Sequence, residues 1–292
     1  MKAVDFDYAR PKALEEALAL LAVPGRETRV IAGGQTLVPM LAMRLVRPEL
    51  LVDIAEIAGL QCIVRDGEVL RIGAATRQRQ AERSEEVRRH VPLLTAALPW
   101  VGHIQTRNRG TVGGSLANAD PSAEIPLVAV TLGAEFRLKG PGGERRLAAA
   151  EFLQAPMQSA LAEDELLVEA AFPVSPAART GVGFTEVNAR ASDFAMLAAA
   201  AEVTLDASGR CARAAFGLGG ASPVPFRAET VEAALIGTAL DDGAIDEAVR
   251  LADPDLDPSS DLQASAAYRR RVAPGLLGRA IRAAREGARS RT

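Results

Sequence analysis

A chain of 292 residues with a formal net charge of -3, 48% hydrophobic and 24% charged residues has the composition of a folded protein, which excludes wholesale disorder and fibrous architecture. One core is ordinarily built from ~100–200 residues, so two or three packed units are expected. Two cysteines cannot supply a disulfide framework or the about four thiolates of an iron–sulfur cluster, and weak net acidity with 4% aromatics argues against a nucleic-acid partner.

The first residues, Met1-Lys2-Ala3-Val4-Asp5-Phe6, lack an apolar signal core, and no stretch approaches the ~20 apolar residues of a membrane span. A cytoplasmic, reducing setting is the expectation. Apolar residues recur at helical spacing over 13–21, and Pro24-Gly25 closes that segment. The β-branched run at 29–31 leads into Ala32-Gly33-Gly34-Gln35-Thr36, after which helical periodicity resumes over 37–45, so the pattern is strand, glycine turn, helix. Residues 50–54 predict another strand, and 62–64 with 69–72 predict a hairpin closed by Asp66-Gly67.

Residues 76–89 are polar and helix-prone with Thr76 as N-cap, and another helix begins at Pro92. Between Gln105 and Pro126, glycines, prolines and small polar residues predict a long loop, too long to be a plain connector. Residues 128–132 are apolar, 134–138 alternate like a strand, a turn is expected at Gly140-Pro141-Gly142-Gly143, and 165–172 predict a strand. Two prolines in 173–178 suggest an interdomain hinge. Beyond it, 195–205 and 211–218 predict paired strands, while 228–235, 242–251 and 268–284 predict helices, followed by a frayed tail at 286–292. Arg269-Arg270-Arg271 and the arginines at 279, 282, 285, 289 and 291 are expected on a solvated face.

Gly33-Gly34 stands where a strand ends and a helix begins, so bare backbone can approach an anion while helix N–H groups face it. A single turn of this kind serves tight packing about as often as ligand binding. Thr111-Val112-Gly113-Gly114-Ser115 is a second such loop, and a pyrophosphate can draw donors from two loops brought together, so dinucleotide binding is the economical reading. Neither loop fits GxGxxG and no Walker lysine follows, which disfavours Rossmann and P-loop accounts. His90 and His103 are the only histidines and are expected to be structural or on the surface. With no GxSxG elbow or HExxH helix, no residue is assigned as nucleophile, general base or metal ligand. Sugar nucleotidyltransferases also place Ala-Gly-Gly after a first strand, but their loop continues with a further glycine and an arginine, where Gln35-Thr36-Leu37 stand here.

Three segments together carry a resemblance: the turn at Ala32 to Thr36, the run Gln105-Thr-Arg-Asn-Arg-Gly-Thr-Val-Gly-Gly-Ser-Leu-Ala-Asn-Ala-Asp-Pro121, and Phe184-Thr-Glu-Val-Asn-Ala-Arg-Ala-Ser-Asp-Phe-Ala195. The chain resembles, over nearly its whole length, the FAD-binding middle subunit of the xanthine dehydrogenase and aerobic carbon monoxide dehydrogenase family of molybdenum hydroxylases. The resemblance implies an α+β fold. It would comprise a vanillyl-alcohol-oxidase-type (PCMH-type) FAD-binding domain of two α+β subdomains, at 1–55 and 56–177, and a small C-terminal α+β domain at 178–287. It implies FAD contacts at Ala32, Gly33, Gly34, Gln35, Thr36, Thr111, Val112, Gly113, Gly114 and Ser115, with further contacts at Val101, Glu124 and Leu167.

Glu124 stands where the family more often has Asp, and Phe194, a candidate neighbour of the isoalloxazine ring, where many relatives have Tyr. Thr185 and Glu186 occupy the neighbourhood in which some relatives carry a lysine, so no lysine contact is expected. The resemblance further implies a large molybdopterin-binding subunit and a small subunit with [2Fe-2S] clusters, assembled as a dimer of heterotrimers, that send electrons through this FAD to an external acceptor. A scaffold subunit that has kept the fold but lost flavin is the alternative within the family.

Overall fold

Short apolar and β-branched runs, separated by glycine and proline turns, condense into three main sheets in a computed structural model that describes residues 2–176 and 178–291. In the first, β3 (Leu50–Asp53) lies between β1 (Asp7–Ala9) and β2 (Thr28–Ile31), all parallel. Parallel neighbours need crossovers, which α1 (Leu14–Leu21) and α2 (Leu37–Ala42) supply. Helix α1 buries Ala17, Leu18 and Leu21 beside Leu50 and Val52, and Leu166 and Val168 from a strand over a hundred residues later complete the same cluster.

The second sheet is antiparallel. The hairpin β4 (Ile63–Asp66) and β5 (Val69–Gly73) forms as expected, with Asp66 opposite Val69. Six short helices then leave the sheet: α3 (Gln78–Arg83), α4 (Glu85–His90), α5 (Pro92–Ala97), α6 (Ile104–Arg109), α7 (Val112–Asn118) and α8 (Glu124–Leu132). The chain returns through β6 (Glu135–Gly140) and β7 (Gly143–Ala148), paired across the expected glycine turn, and through α9 (Ala149–Phe152), β8 (Leu153–Ala155) and β9 (Gln158–Ser159). Finally β10 (Leu166–Pro173) inserts between β5 and β6. The core behind this sheet holds Phe136 edge-on to Phe152, with centroids 5.0 Å apart, together with Phe172 and the apolar faces of α5 and α8.

In the third sheet β11 (Thr180–Val187), β12 (Leu197–Leu205), β13 (Cys211–Gly219) and β14 (Phe226–Arg227) run antiparallel in that order. Helices α10 (Glu229–Leu235), α11 (Asp242–Ala248) and the long α12 (Ala266–Arg289) surround the core of Phe216, Leu277 and Ile281. Its β12 also faces the other way: Ala198 and Ala200 join the same buried cluster as Leu93 and Leu127 of the second unit.

Several expectations need correction. The predicted 105–126 loop is mostly helix, because its threonines and glycines serve as caps and close packing points rather than as breaks. Thr76 does not cap α3. Its hydroxyl bonds the Cys62 carbonyl at 3.1 Å, Arg77 takes the cap position, and the helix predicted to continue through 89 breaks at Ser84, which caps α4 instead. Residues 173–175 are not a hinge, since Pro173 pairs with Val69 and Ser175 donates through its N–H to His90 and through its hydroxyl to Glu202 at 2.5 Å. Ala177, also within that segment, lies outside the described residues, as does Thr292 of the predicted tail. The tail is not frayed, because α12 continues to Arg289 with Ala288 fully buried. Nor are its arginines all solvated: Arg269 bonds the Met196 and Gly220 carbonyls, and Arg285 bonds Leu240 O and Asp242.

Candidate functional site

The first glycine turn, residues from the 101–120 segment and the start of β10 line a cleft of 1380 Å³. That exceeds the roughly 300–1,000 Å³ of sites for drug-sized ligands and is large enough for a dinucleotide. Of the residues expected at the site, Ala32, Gly33, Gly34, Gln35, Thr36, Val101, Thr111, Gly113, Gly114, Ser115, Glu124, Leu167 and Phe194 line it. Val112 does not. Its side chain is fully buried in the large apolar core and its N–H is taken by the Thr76 carbonyl at 2.9 Å, so the expectation for Val112 is corrected.

Both glycine turns meet at this cleft, but they do different work. Gly33 lies against the chain just before the second turn: a Cβ there would fall 2.5 Å from the Arg109 carbonyl oxygen and 2.6 Å from Gly110 Cα. In the first turn the N–H groups of Gly33, Gly34, Gln35 and Thr36 find no acceptor among the described residues. Four consecutive uncommitted donors in residues that line the cleft, with Gly34 at a φ of +71°, are what an anion-binding backbone turn requires. In the second turn the donors are already satisfied. Gly113 N–H bonds Ala74 O at 2.9 Å, Gly114 N–H bonds the Thr111 hydroxyl at 3.0 Å, and Ser115 N–H bonds Thr111 O at 3.2 Å. What Gly113 provides is proximity, since a Cβ there would lie 2.6 Å from Ala74 Cα. The second turn therefore shapes the cleft floor, leaving the Ser115 side chain as its polar contribution.

Behind the wall, Arg107 is buried at 8% exposure and bonds the Val101 and Gly102 carbonyls at 3.1 and 2.8 Å. Its other face meets Glu82 through two bonds of 2.9 and 3.2 Å. Burial alone would raise the Glu82 carboxyl, but Arg107 and Arg79 more than offset it and hold the group below the usual carboxylate range. Val101 and Gly102, both on the cleft, are thus held by a charge that never enters it. His103, expected to be structural or superficial, is both the residue preceding α6 and part of the lining.

Phe194 is 68% exposed and lies outside the strands, so it is no core residue and its ring is open to a flat partner in the cleft. Glu124, at the first position of α8, is 7% exposed. Desolvation, reinforced by Asp120, pushes its carboxyl up to about 7. Gln78, Thr106, Asn118, Asp120 and Ser192 also line the cleft and were not expected as contacts from the sequence; all but Gln78 fall inside the two longer runs that carry the resemblance. Among the described residues no group of His, Cys, Asp and Glu is arranged to hold a metal ion, and no helix is long and apolar enough to cross a membrane.

Residues 4–175 match the family described as the FAD binding domain in molybdopterin dehydrogenase, and residues 183–284 match the CO dehydrogenase flavoprotein C-terminal domain. The 6-hydroxypseudooxynicotine dehydrogenase complex subunit alpha of Paenarthrobacter nicotinovorans is 38% identical over 96% of this chain and 95% of its own length. The carbon monoxide dehydrogenase medium chain of Afipia carboxidovorans is 36% identical over 98% of both chains. A solved structure, reconstituted CO dehydrogenase from Oligotropha carboxidovorans, superposes with a TM-score of 0.94 at 36% identity, covering 98% of this chain and 100% of that one.

Proposed function

Because this chain belongs to the family of FAD-binding domains of molybdopterin dehydrogenases, we propose that it is the flavoprotein subunit of a molybdenum hydroxylase, an oxidoreductase complex whose organic or gaseous substrate is oxidised on another subunit. The observation that carries the reading is the row of uncommitted N–H groups from Gly33 to Thr36, which fits the diphosphate of FAD. Bound FAD supplies two-electron storage with one-electron exchange, and the protein supplies orientation and electrostatics. Gly33, Gly34, Gln35 and Thr36 hold the diphosphate; Ala32, Gly113, Gly114 and Ser115, with Thr111 fixing the turn, shape the adjoining floor. Val101, Leu167 and Phe194 form apolar surface for the ring system, and Glu124 is the buried polar group beside it. Val112 acts only through packing.

Electrons arrive from [2Fe-2S] clusters of a small partner subunit and leave for an external acceptor, with molybdopterin on a large partner and two such heterotrimers joined in the assembly. The two cysteines of this chain, Cys62 and the buried Cys211, agree with clusters held elsewhere. Relatives named for carbon monoxide and for a nicotine derivative share this subunit at similar identity, which supports substrate choice lying outside it. The setting is cytoplasmic. Residues 1–55 and 56–177 form the two FAD-binding subdomains and 178–287 the C-terminal domain, a division supported by the three sheets.

Thr36→Glu tests the reading. Thr36 is exposed and its side chain caps nothing, so the fold tolerates the change, whereas a carboxylate beside the diphosphate repels it. Apoprotein supplied with FAD and desalted is expected to be yellow at one flavin per chain. The variant is expected to lose at least about a hundredfold in affinity, roughly 2.7 kcal/mol, at an unchanged melting temperature. Wild-type protein that stays colourless would favour the flavin-free scaffold instead.

A further inference from the structure

Arg269 stands near the start of α12 and is only 5% exposed, although it carries a charge. A cation held out of water is costly unless every partner it meets needs it. Its partners lie where the third sheet ends. Ala198 and Gly219 are the last residues paired at that end of β12 and β13, and Gly220, at a φ of +71°, turns the chain away. The Met196 and Gly220 carbonyls are left beyond the ladder, and Arg269 Nη1 donates to both, at 2.7 and 3.1 Å. Nη2 donates to Asp261 Oδ2 at 2.6 Å. The two strand ends touch here, since a Cβ on Gly220 would lie 2.6 Å from the Met196 oxygen.

Both ends lead to the cleft. Gly220 N–H donates to Pro121 O at 2.9 Å, beside the cleft-lining Asp120. Met196 closes the loop after β11 by donating its N–H to Val187 O at 2.7 Å, and Ser192, Asp193 and Phe194 of that loop line the cleft. Ser192 has a φ of +71°, a conformation that a residue other than glycine keeps only where its surroundings impose it. Phe194, at 68% exposure, is too open for core packing to fix its ring. Resting on the cofactor reading, we propose that Arg269 is a positioning residue of that site: by clamping Met196 to Gly220 it fixes the stem of the 188–196 loop and so holds Phe194 against the flavin ring. Arg269 itself lines no part of the cleft. A guanidinium carries five donors in a rigid fork, which lets one side chain serve two carbonyls and a carboxylate at once.

Titration of full-length apoprotein with FAD and, separately, with ADP tests the clamp. ADP carries the diphosphate but no ring. Arg269→Gln is expected to lower FAD affinity about fivefold to tenfold, the worth of one aromatic contact, and to leave ADP affinity unchanged. Phe194→Ala is expected to do the same, and the double variant to lose no more than Phe194→Ala alone, because both changes remove one contact. At saturating FAD, the visible circular dichroism of the bound ring is expected to change in each variant. An Arg269 that served stability alone would lower both affinities together or add its loss to that of Phe194→Ala. Either result overturns the proposal, as does wild-type FAD affinity in Arg269→Gln or in Phe194→Ala. Should Arg269→Gln fail to fold, Asp261→Asn takes its place. The Asp261 side chain is half exposed, and its Oδ1 already accepts from the Gln263 and Ala264 N–H groups at 2.8 and 2.9 Å, so the new amide N–H groups face the guanidinium and displace it. Wild-type FAD affinity in Asp261→Asn overturns the proposal. Wild-type apoprotein that binds neither FAD nor ADP overturns the cofactor reading itself, whereas unaltered variants of a wild type that binds both overturn only the role of Arg269.

Discussion

The Arg107 guanidinium works from behind the cleft wall: it bonds backbone carbonyls on one side and Glu82 on the other, and both side chains are nearly dry. Removing one partner of such a pair leaves the other charge desolvated and unpaired. Glu82→Ala is accordingly expected to destabilise the protein by about 3 kcal/mol, read as a lower urea midpoint, and to weaken FAD binding through the loosened Val101 wall. The Arg-Asn-Arg-Gly-Thr string was legible as a family mark, but its role was not, because the partners of Arg107 lie up to 25 residues away. The opposite holds for Gly33 to Thr36, where strand, bend and helix adjoin in sequence and the free donors follow from local geometry. Val112 was misread for the same reason that Arg107 was opaque. Whether a peptide N–H faces ligand or protein depends on where the Thr76 carbonyl lies, which no local pattern encodes.

Helices α6 to α8 were hidden by their composition. Runs rich in glycine and threonine score as loop, yet here Thr111 caps α7 and Gly113 lets that helix lie on the chain leaving β5. Gly113→Ala is expected to push α7 off this seat and to cost about 1–3 kcal/mol in thermal or urea unfolding, the range for overpacking, with some loss of bound flavin as the floor shifts. Strand β11 was missed on similar grounds. Gly181 and Gly183 weaken its local strand signal, but any side chain at either position would collide with the α12 backbone at Ala284 and Ala280. Elements whose signals are local and repetitive were read well, among them the β4–β5 hairpin, the turn between β6 and β7, and the β12–β13 pair.

At the scale of the molecule, the third unit is not an appendage. Phe184, Ala198 and Ala200 complete the cluster that buries Leu93 and Leu127, and Phe194 reaches the cleft from the same unit. A chain truncated after residue 177 is therefore expected to expose this apolar face. It should bind a hydrophobic dye and aggregate at concentrations where the full chain is monodisperse in light scattering. Normal, soluble FAD uptake by that fragment would show that the third unit is dispensable for the site.

The place of β10 between β5 and β6 also has a temporal meaning. On the ribosome, synthesis proceeds from the amino end, and the strand that closes this sheet is the last of its unit to emerge. Until it does, Leu166 and Leu167 are missing from the wall that the cofactor would touch. Cofactor loading is thus expected only after β10 has emerged.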